Sequence, residues 1–118
     1  AKVERHDGGL LTLTELSTDD FMAAGAEESY SEGVIDHLRA VEGTAVAALV
    51  RDRGPDGATP GERKVSLRAN DARVDVSRIA RLQGGGGHRQ AAGFSTTLAW
   101  LDLVQFLRAE ITEQLAAA

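Results

Sequence analysis

Gly84-Gly85-Gly86-Gly87-His88-Arg89-Gln90-Ala91-Ala92-Gly93 is the stretch around which the rest of the chain has to be arranged. Four successive glycines are expensive to order, because glycine loses more backbone freedom on folding than any other residue. A chain that orders them gains main-chain N–H groups with no Cβ in the way. That is a concavity for an anion, and a helix beginning directly afterwards strengthens it. His88 at its end can donate to an anion or carry a proton. The stretch therefore reads as a phosphate-recognising loop over residues 84–87 followed by a helical turn over 88–92. A flexible tether is the plainer account of the glycines. The small residues behind them favour the loop, since Ala91 and Ala92 let a ligand approach and Gly93 permits a tight exit into a strand.

Working outward, Asp75 can cap a helix that carries Val76, Ile79 and Ala80 inward and runs into the glycines. Before it, residues 63–68 alternate, with Val65 and Leu67 on one side and Lys64, Ser66 and Arg68 on the other. Residues 44–50 are apolar on both faces, as a central strand requires. The glycines and prolines between Asp52 and Glu62 make a long turn joining these two strands. Val34, Ile35, Leu38 and Val41 are spaced as one helix face that Gly43 ends, with a polar loop at 27–31 before it. A short helix capped by Ser17-Thr18-Asp19-Asp20 and ended by Gly25 is expected ahead of that loop. Residues 3–6 and 10–16 form a hairpin around Asp7-Gly8-Gly9. Downstream, residues 94–97 read as a strand. Trp100, Val104, Leu107, Ile111 and Leu115 make one stripe of a long last helix. The expected fold class is a mixed α/β (α+β) domain: a central sheet of about five strands covered by helices, with an N-terminal hairpin and a long C-terminal helix.

The 118 residues suit one domain, and the chain contains no cysteine, which excludes disulfides and thiolate metal sites. That usage and the lack of any membrane-length apolar run suggest a cytoplasmic protein. The opening Ala1 in place of a methionine suggests a fragment of a longer chain. The formal net charge of −5 argues against indiscriminate nucleic-acid binding. Residues 63–90 nevertheless hold seven of the 13 Lys and Arg residues against two acids, Asp71 and Asp75. A positive segment on an acidic body suits a small anionic ligand, although solvated surface faces would carry the same charges.

The glycines fit neither of the two commonest phosphate loops: there is no Gly-x-x-x-x-Gly-Lys-Ser/Thr and no Gly-x-Gly-x-x-Gly between strand and helix. Gly-Gly-Gly-His-x-x-Ala-Ala-Gly does resemble the signature of the DHH-associated domain, the C-terminal partner of DHH phosphoesterase domains. Val65-Ser66-Leu67-Arg68, then Val74-Asp75-Val76-Ser77 with Ile79-Ala80, and Glu32-Gly33-Val34 earlier, are similar to that family's pattern in the same order. The family's often-present second serine after the arginine is here Ala69.

The resemblance implies the substrate-binding domain, spanning 1–118, of a manganese-dependent phosphoesterase whose N-terminal DHH metal-binding domain is absent. Its substrates would be very short RNA or 3′-phosphoadenosine 5′-phosphate. The substrate-binding residues carried over are Ser66, Arg68, Gly85, Gly86, Gly87, His88, Ala91 and Ala92, with Arg89 following His88 as a second phosphate contact. No catalytic or metal-binding residue is expected in this chain. Asp36-His37-Leu38 lies in a helical stripe and lacks the second histidine of a metal motif. Mn2+ belongs to the absent domain. The implied partners are the nucleotide or oligoribonucleotide, the DHH domain of the same polypeptide and, through the parent protein, a second copy, with no membrane. Trp100 and Tyr30 could stack on a base or pack in the core, and Lys64 could join the pocket or face solvent. The competing functions are a non-catalytic cyclic-dinucleotide or nucleic-acid binding module, and a purely structural or dimerising domain.

Overall fold

Six segments pair into one sheet in the computed structural model, which describes residues 3–17, 28–52 and 61–118. The strands are β1 (Val3–His6), β2 (Leu11–Leu16), β3 (Val46–Asp52), β4 (Arg63–Ala69), β5 (Gly86–His88) and β6 (Ala91–Thr96). Their order is β1-β2-β3-β4-β6-β5, and every neighbouring pair is antiparallel except β2 and β3. The helices are α1 (Glu28–Arg39), α2 (Val76–Leu82) and α3 (Trp100–Ala117). The mixed α/β architecture, the N-terminal hairpin and the long last helix are as the sequence indicates. The additional strand is β5, made from the glycines themselves.

The period of two divides each strand between two faces. On the first face Leu11, Leu13, Val46, Ala48, Val50, Val65, Leu67 and Phe94 pack beneath α2 and α3, through Ile79, Ala80, Leu103, Val104, Leu107 and Ile111. Phe94 meets Phe106 edge to face, with ring centroids 6.1 Å apart. Trp100 packs against this core, and its Nε1 donates to Glu4 Oε2 at 3.1 Å. On the second face α1 covers Leu16, Ala47 and Leu49 with Ile35 and Leu38. That cover is centred on β3 and reaches β2 and the near side of β4, so among the described residues the second face of β6 and β5 carries no helix. No described helix is long and apolar enough to cross a membrane.

Two local expectations change. Residues 28–31 are the first turn of α1, where a polar loop is expected from their composition. Residues 88–92 are not a helical turn: His88 ends β5, Arg89 and Gln90 make a tight turn, and Ala91 opens β6. Tertiary pairing decides this, because the carbonyls of Arg89 and Gln90 accept from the amides of Val76 and Ala69, both at 3.0 Å. The short helix expected after Ser17, and most of the turn between Asp52 and Glu62, lie outside the described residues.

Candidate functional site

Strand register assembles the site. Arg68 pairs with Ala91, and Ala91 with His88, so these three side chains form one row on the second face, running out from the edge of α1. In the next row Ser66 pairs with Gly93 and Gly93 with Gly86, and in a third Lys64 pairs with Ser95. Arg68 and His88 thus stand two strand spacings apart, about 10 Å, with only the methyl of Ala91 between them. Beside that gap Gly93 and Gly86 leave bare backbone. The result is an open tray with a cation at one wall and an imidazole at the other. His88 is exposed and has no partner among the described residues.

The four glycines divide by task. Gly84, at φ +81°, closes α2: its N–H donates to Arg81 O at 3.1 Å, and that of Gly85 donates to Ala80 O at 2.9 Å. This is the Schellman pattern of a helix end. The expected cradle of free amides over 84–87 is therefore corrected at its start, since the amides of Gly84 and Gly85 are engaged within the chain. Gly85 and Gly87 are glycine because β6 lies too close. A Cβ on Gly85 would strike Gly93 O, and one on Gly87, at φ +144°, would lie 2.6 Å from Ala91 O. A Cβ on Gly86 would meet nothing within 4 Å. Its openness on the tray side is not demanded by packing. β5 is the edge of the sheet, so alternate N–H and C=O groups of this strand face away from any described neighbour.

Arg68 is held in place. One terminal nitrogen donates to both carboxylate oxygens of Glu32 on α1 at 3.0 and 3.1 Å, and the other donates to Leu67 O at 2.9 Å. Remaining guanidinium donors are left for a ligand. Arg89 is turned away from the tray. Its Nη2 donates to Ala72 O at 2.7 Å and its Nη1 lies 3.6 Å from Asp75 Oδ2, in a separate cleft with Arg73 and Arg78. In that cleft burial pushes the Asp75 carboxyl up, but hydrogen bonds from Ser77 and Arg78 and the charge of Arg89 bring it below the usual range. Arg73 donates to Asp71 and holds that carboxyl at about 2.

Of the expected binding residues the structure brings Ser66, Arg68, Gly86, His88 and Ala91 together on one face. Ala92 points into the core beneath it, and Gly85 and Gly87 serve the approach of β6. Tyr30 and His37 line a groove with Val3 and Leu16, at the opposite end of α1's sheet face. Glu32 and Ser31 escape a reading that treats 27–31 as loop. The missed signal is spacing: Ser31, Ile35 and Leu38 fall four and then three residues apart, on one helical stripe. Among the described residues no three His, Cys, Asp or Glu side chains gather as a metal site.

Known proteins resemble this chain in sequence and in fold. Residues 18–117 match the DHHA1 domain family. The chain is 42% identical over 100 residues to the bifunctional oligoribonuclease and PAP phosphatase NrnA of Thermus thermophilus; the match takes in 85% of this chain but 26% of that protein's length. An exopolyphosphatase-related protein from Bacteroides fragilis shares the fold with a TM-score of 0.66 at 18% identity, over 87% of this chain and 28% of that one. The C-Ala domain of alanyl-tRNA synthetase from Aquifex aeolicus shares it with a TM-score of 0.58 at 15% identity, over 92% of this chain and 96% of that domain.

Proposed function

The chain belongs to the DHHA1 domain family, and on that premise we propose that it is the substrate-binding domain of a manganese-dependent phosphoesterase that degrades very short RNA or dephosphorylates 3′-phosphoadenosine 5′-phosphate. The relative at 42% identity carries both activities in its name. The fold alone would not select them, since the same architecture serves a synthetase appendage.

The observation that supports the reading is the Arg68–Ala91–His88 row running from the edge of α1 onto the open side of β6 and β5, with bare backbone at Gly86 and Gly93 beside it. Arg68, oriented by Glu32, offers fixed donors to a phosphate from one side. His88 reaches the same phosphate from the other, and Ser66 adds a hydroxyl next to Arg68. The flat floor lets the nucleotide lie against the strands. Manganese would supply the attacking hydroxide in such an enzyme. On the resemblance of the glycine–histidine motif to DHH-associated domains, its ligands would lie in a DHH domain of the same polypeptide. This chain's part is to bind and orient, which raises rate by fixing geometry.

Titration of the chain with AMP, 3′-phosphoadenosine 5′-phosphate, a dinucleotide and a cyclic dinucleotide, followed by amide NMR, tests the reading. Shifts should centre on residues 66–68 and 86–91. Losing a charge-assisted contact costs about 1.5–3 kcal/mol, so Arg68→Ala and His88→Ala should each weaken mononucleotide binding tenfold or more. Unchanged binding in both variants rejects the tray as the site, and a clear preference for the cyclic ligand replaces the phosphoesterase reading with a sensor.

A further inference from the structure

The second face continues along β4 from the tray to a niche at the seam with α1, lined by Ser31, Glu32, Arg51, Lys64 and Ser66 over the apolar Ile35 and Leu49. It encloses about 20 Å³, room for one small polar group. Ser31 is 8% exposed, and its Oγ has no hydrogen-bond partner among the described residues, an arrangement that is destabilising by itself. The hydroxyl of Ser66, half-buried on β4, has none among them either. The fold gives neither hydroxyl a task.

The polar lining is mixed in kind. Lys64 and the two serines can donate, and Glu32 can accept. Each of its carboxylate oxygens takes one bond from Arg68 and keeps lone pairs to spare. An anionic oxygen, which only accepts, would be repelled by that carboxylate. A neutral hydroxyl donates and accepts at once, so it satisfies both sides of the niche. We propose that the niche is a sugar-hydroxyl pocket: it takes the 2′-hydroxyl of the ribose attached to the phosphate in the Arg68–His88 row, and so makes the domain prefer ribonucleotides to deoxyribonucleotides. This deepens the reading of that row as a phosphate seat and rests on it. Ser66 stands one same-face step along β4 from Arg68, about 7 Å, and a ribose stands at a comparable remove from its own 5′-phosphate. Glu32 links the two positions, because the carboxylate that holds Arg68 also lines the niche. Gly93, paired with Ser66, adds no side chain to lift a sugar off the strands. Within an oligoribonucleotide the 3′-oxygen is esterified, which leaves the 2′-hydroxyl as the sugar's free donor and acceptor.

Calorimetric titration of the 118-residue chain with adenosine 5′-monophosphate and its 2′-deoxy and 3′-deoxy analogues tests the pocket. The wild type should bind the 2′-deoxy analogue about fivefold more weakly than the ribonucleotide, the worth of one hydrogen-bonded hydroxyl, and the 3′-deoxy analogue within about twofold of it. Ser31→Ala and Ser66→Ala should each shrink the 2′-deoxy penalty below about twofold, whereas Arg68→Ala weakens ribo- and 2′-deoxyribonucleotide by the same factor. A wild type indifferent to the 2′-hydroxyl, a penalty that follows the 3′-hydroxyl instead, or a penalty that survives both serine substitutions overturns the pocket and leaves the tray standing. Binding of none of the three removes the tray reading, and the pocket with it. Melting of the ligand-free variants supplies an independent check. Ser31→Ala should melt at or above the wild-type temperature, because it removes an unpaired hydroxyl. A lower temperature would mean that the hydroxyl is partnered within the fold, which also overturns the proposal.

Discussion

Gly86 and Gly87 are adjacent and carry the same residue for different reasons, so alanine should separate folding from binding at these two positions. Gly87 combines φ +144° with a hypothetical Cβ 2.6 Å from Ala91 O. Gly87→Ala should therefore lose more than about 1 kcal/mol of stability. Gly86 has neither a positive φ nor a neighbour within 4 Å of a Cβ. Gly86→Ala should melt no lower than the wild type, since alanine reduces the freedom of the unfolded chain. It should still weaken nucleotide binding several-fold, because its methyl enters the tray. Thermal melts paired with titrations read both effects; wild-type affinity in Gly86→Ala would show that the ligand does not rest on that floor. The sequence made the glycines visible as a group but could not sort them. Nothing in Gly-Gly-Gly-Gly says which position lies against Phe94 and Ala92 and which lies open, because that is decided by a strand brought alongside.

At the level of elements, legibility followed the side chains. β4 and α3 were readable because their buried residues recur with the period of the element, and α2 because Asp75 caps it. The Asp75 carboxylate accepts from Ser77 N at 3.0 Å, and the backbone N–H of Asp75 donates to Gln114 Oε1 at 2.7 Å, fastening the start of α2 to α3. Asp75→Ala should lower stability by about 0.5–2 kcal/mol, seen as a smaller urea midpoint at unchanged slope. β5 was unreadable for the opposite reason: two of its three residues have no side chain, so it shows no alternation. The turn after it, Arg89-Gln90, lacks the Asn-Gly or Asp-Gly signal of a tight hairpin, and neither residue has a positive φ. Those residues, with Ala91 and Ala92, have good helical propensity, and pairing with β4 overrides it. The start of α1 is hard to read because Glu28 to Glu32 carry no aliphatic residue, and the buried position among 30–32 is a serine, Ser31.

Across the whole molecule, β1 lies at one edge of the sheet and the tray at the other. Long-range polar contacts tie the first strands to the last helix. Arg108 on α3 donates twice to Asp7 at 2.9 and 3.0 Å, which pulls the Asp7 carboxyl below the usual carboxylate range. A carboxyl depressed in the folded state contributes stability above its unfolded pKa and loses it as pH falls through the folded value. Asp7 sits at φ +57°, a conformation asparagine also tolerates, so Asp7→Asn removes the charge with little change in backbone preference. Its melting temperature should fall below the wild type's at pH 7, and the gap should close on acidification below about pH 4. A gap that stays constant down to pH 2 would assign the difference to something other than this ion pair.

The two walls of the tray are unequally built. Arg68 rises from a strand whose alternate residues are locked into the core, whereas His88 rides on a strand that buries no apolar side chain of its own. On the proposed reading, the arginine would fix where a ligand's charged end sits, and the glycine strand would contribute backbone and an imidazole in place of a packed wall.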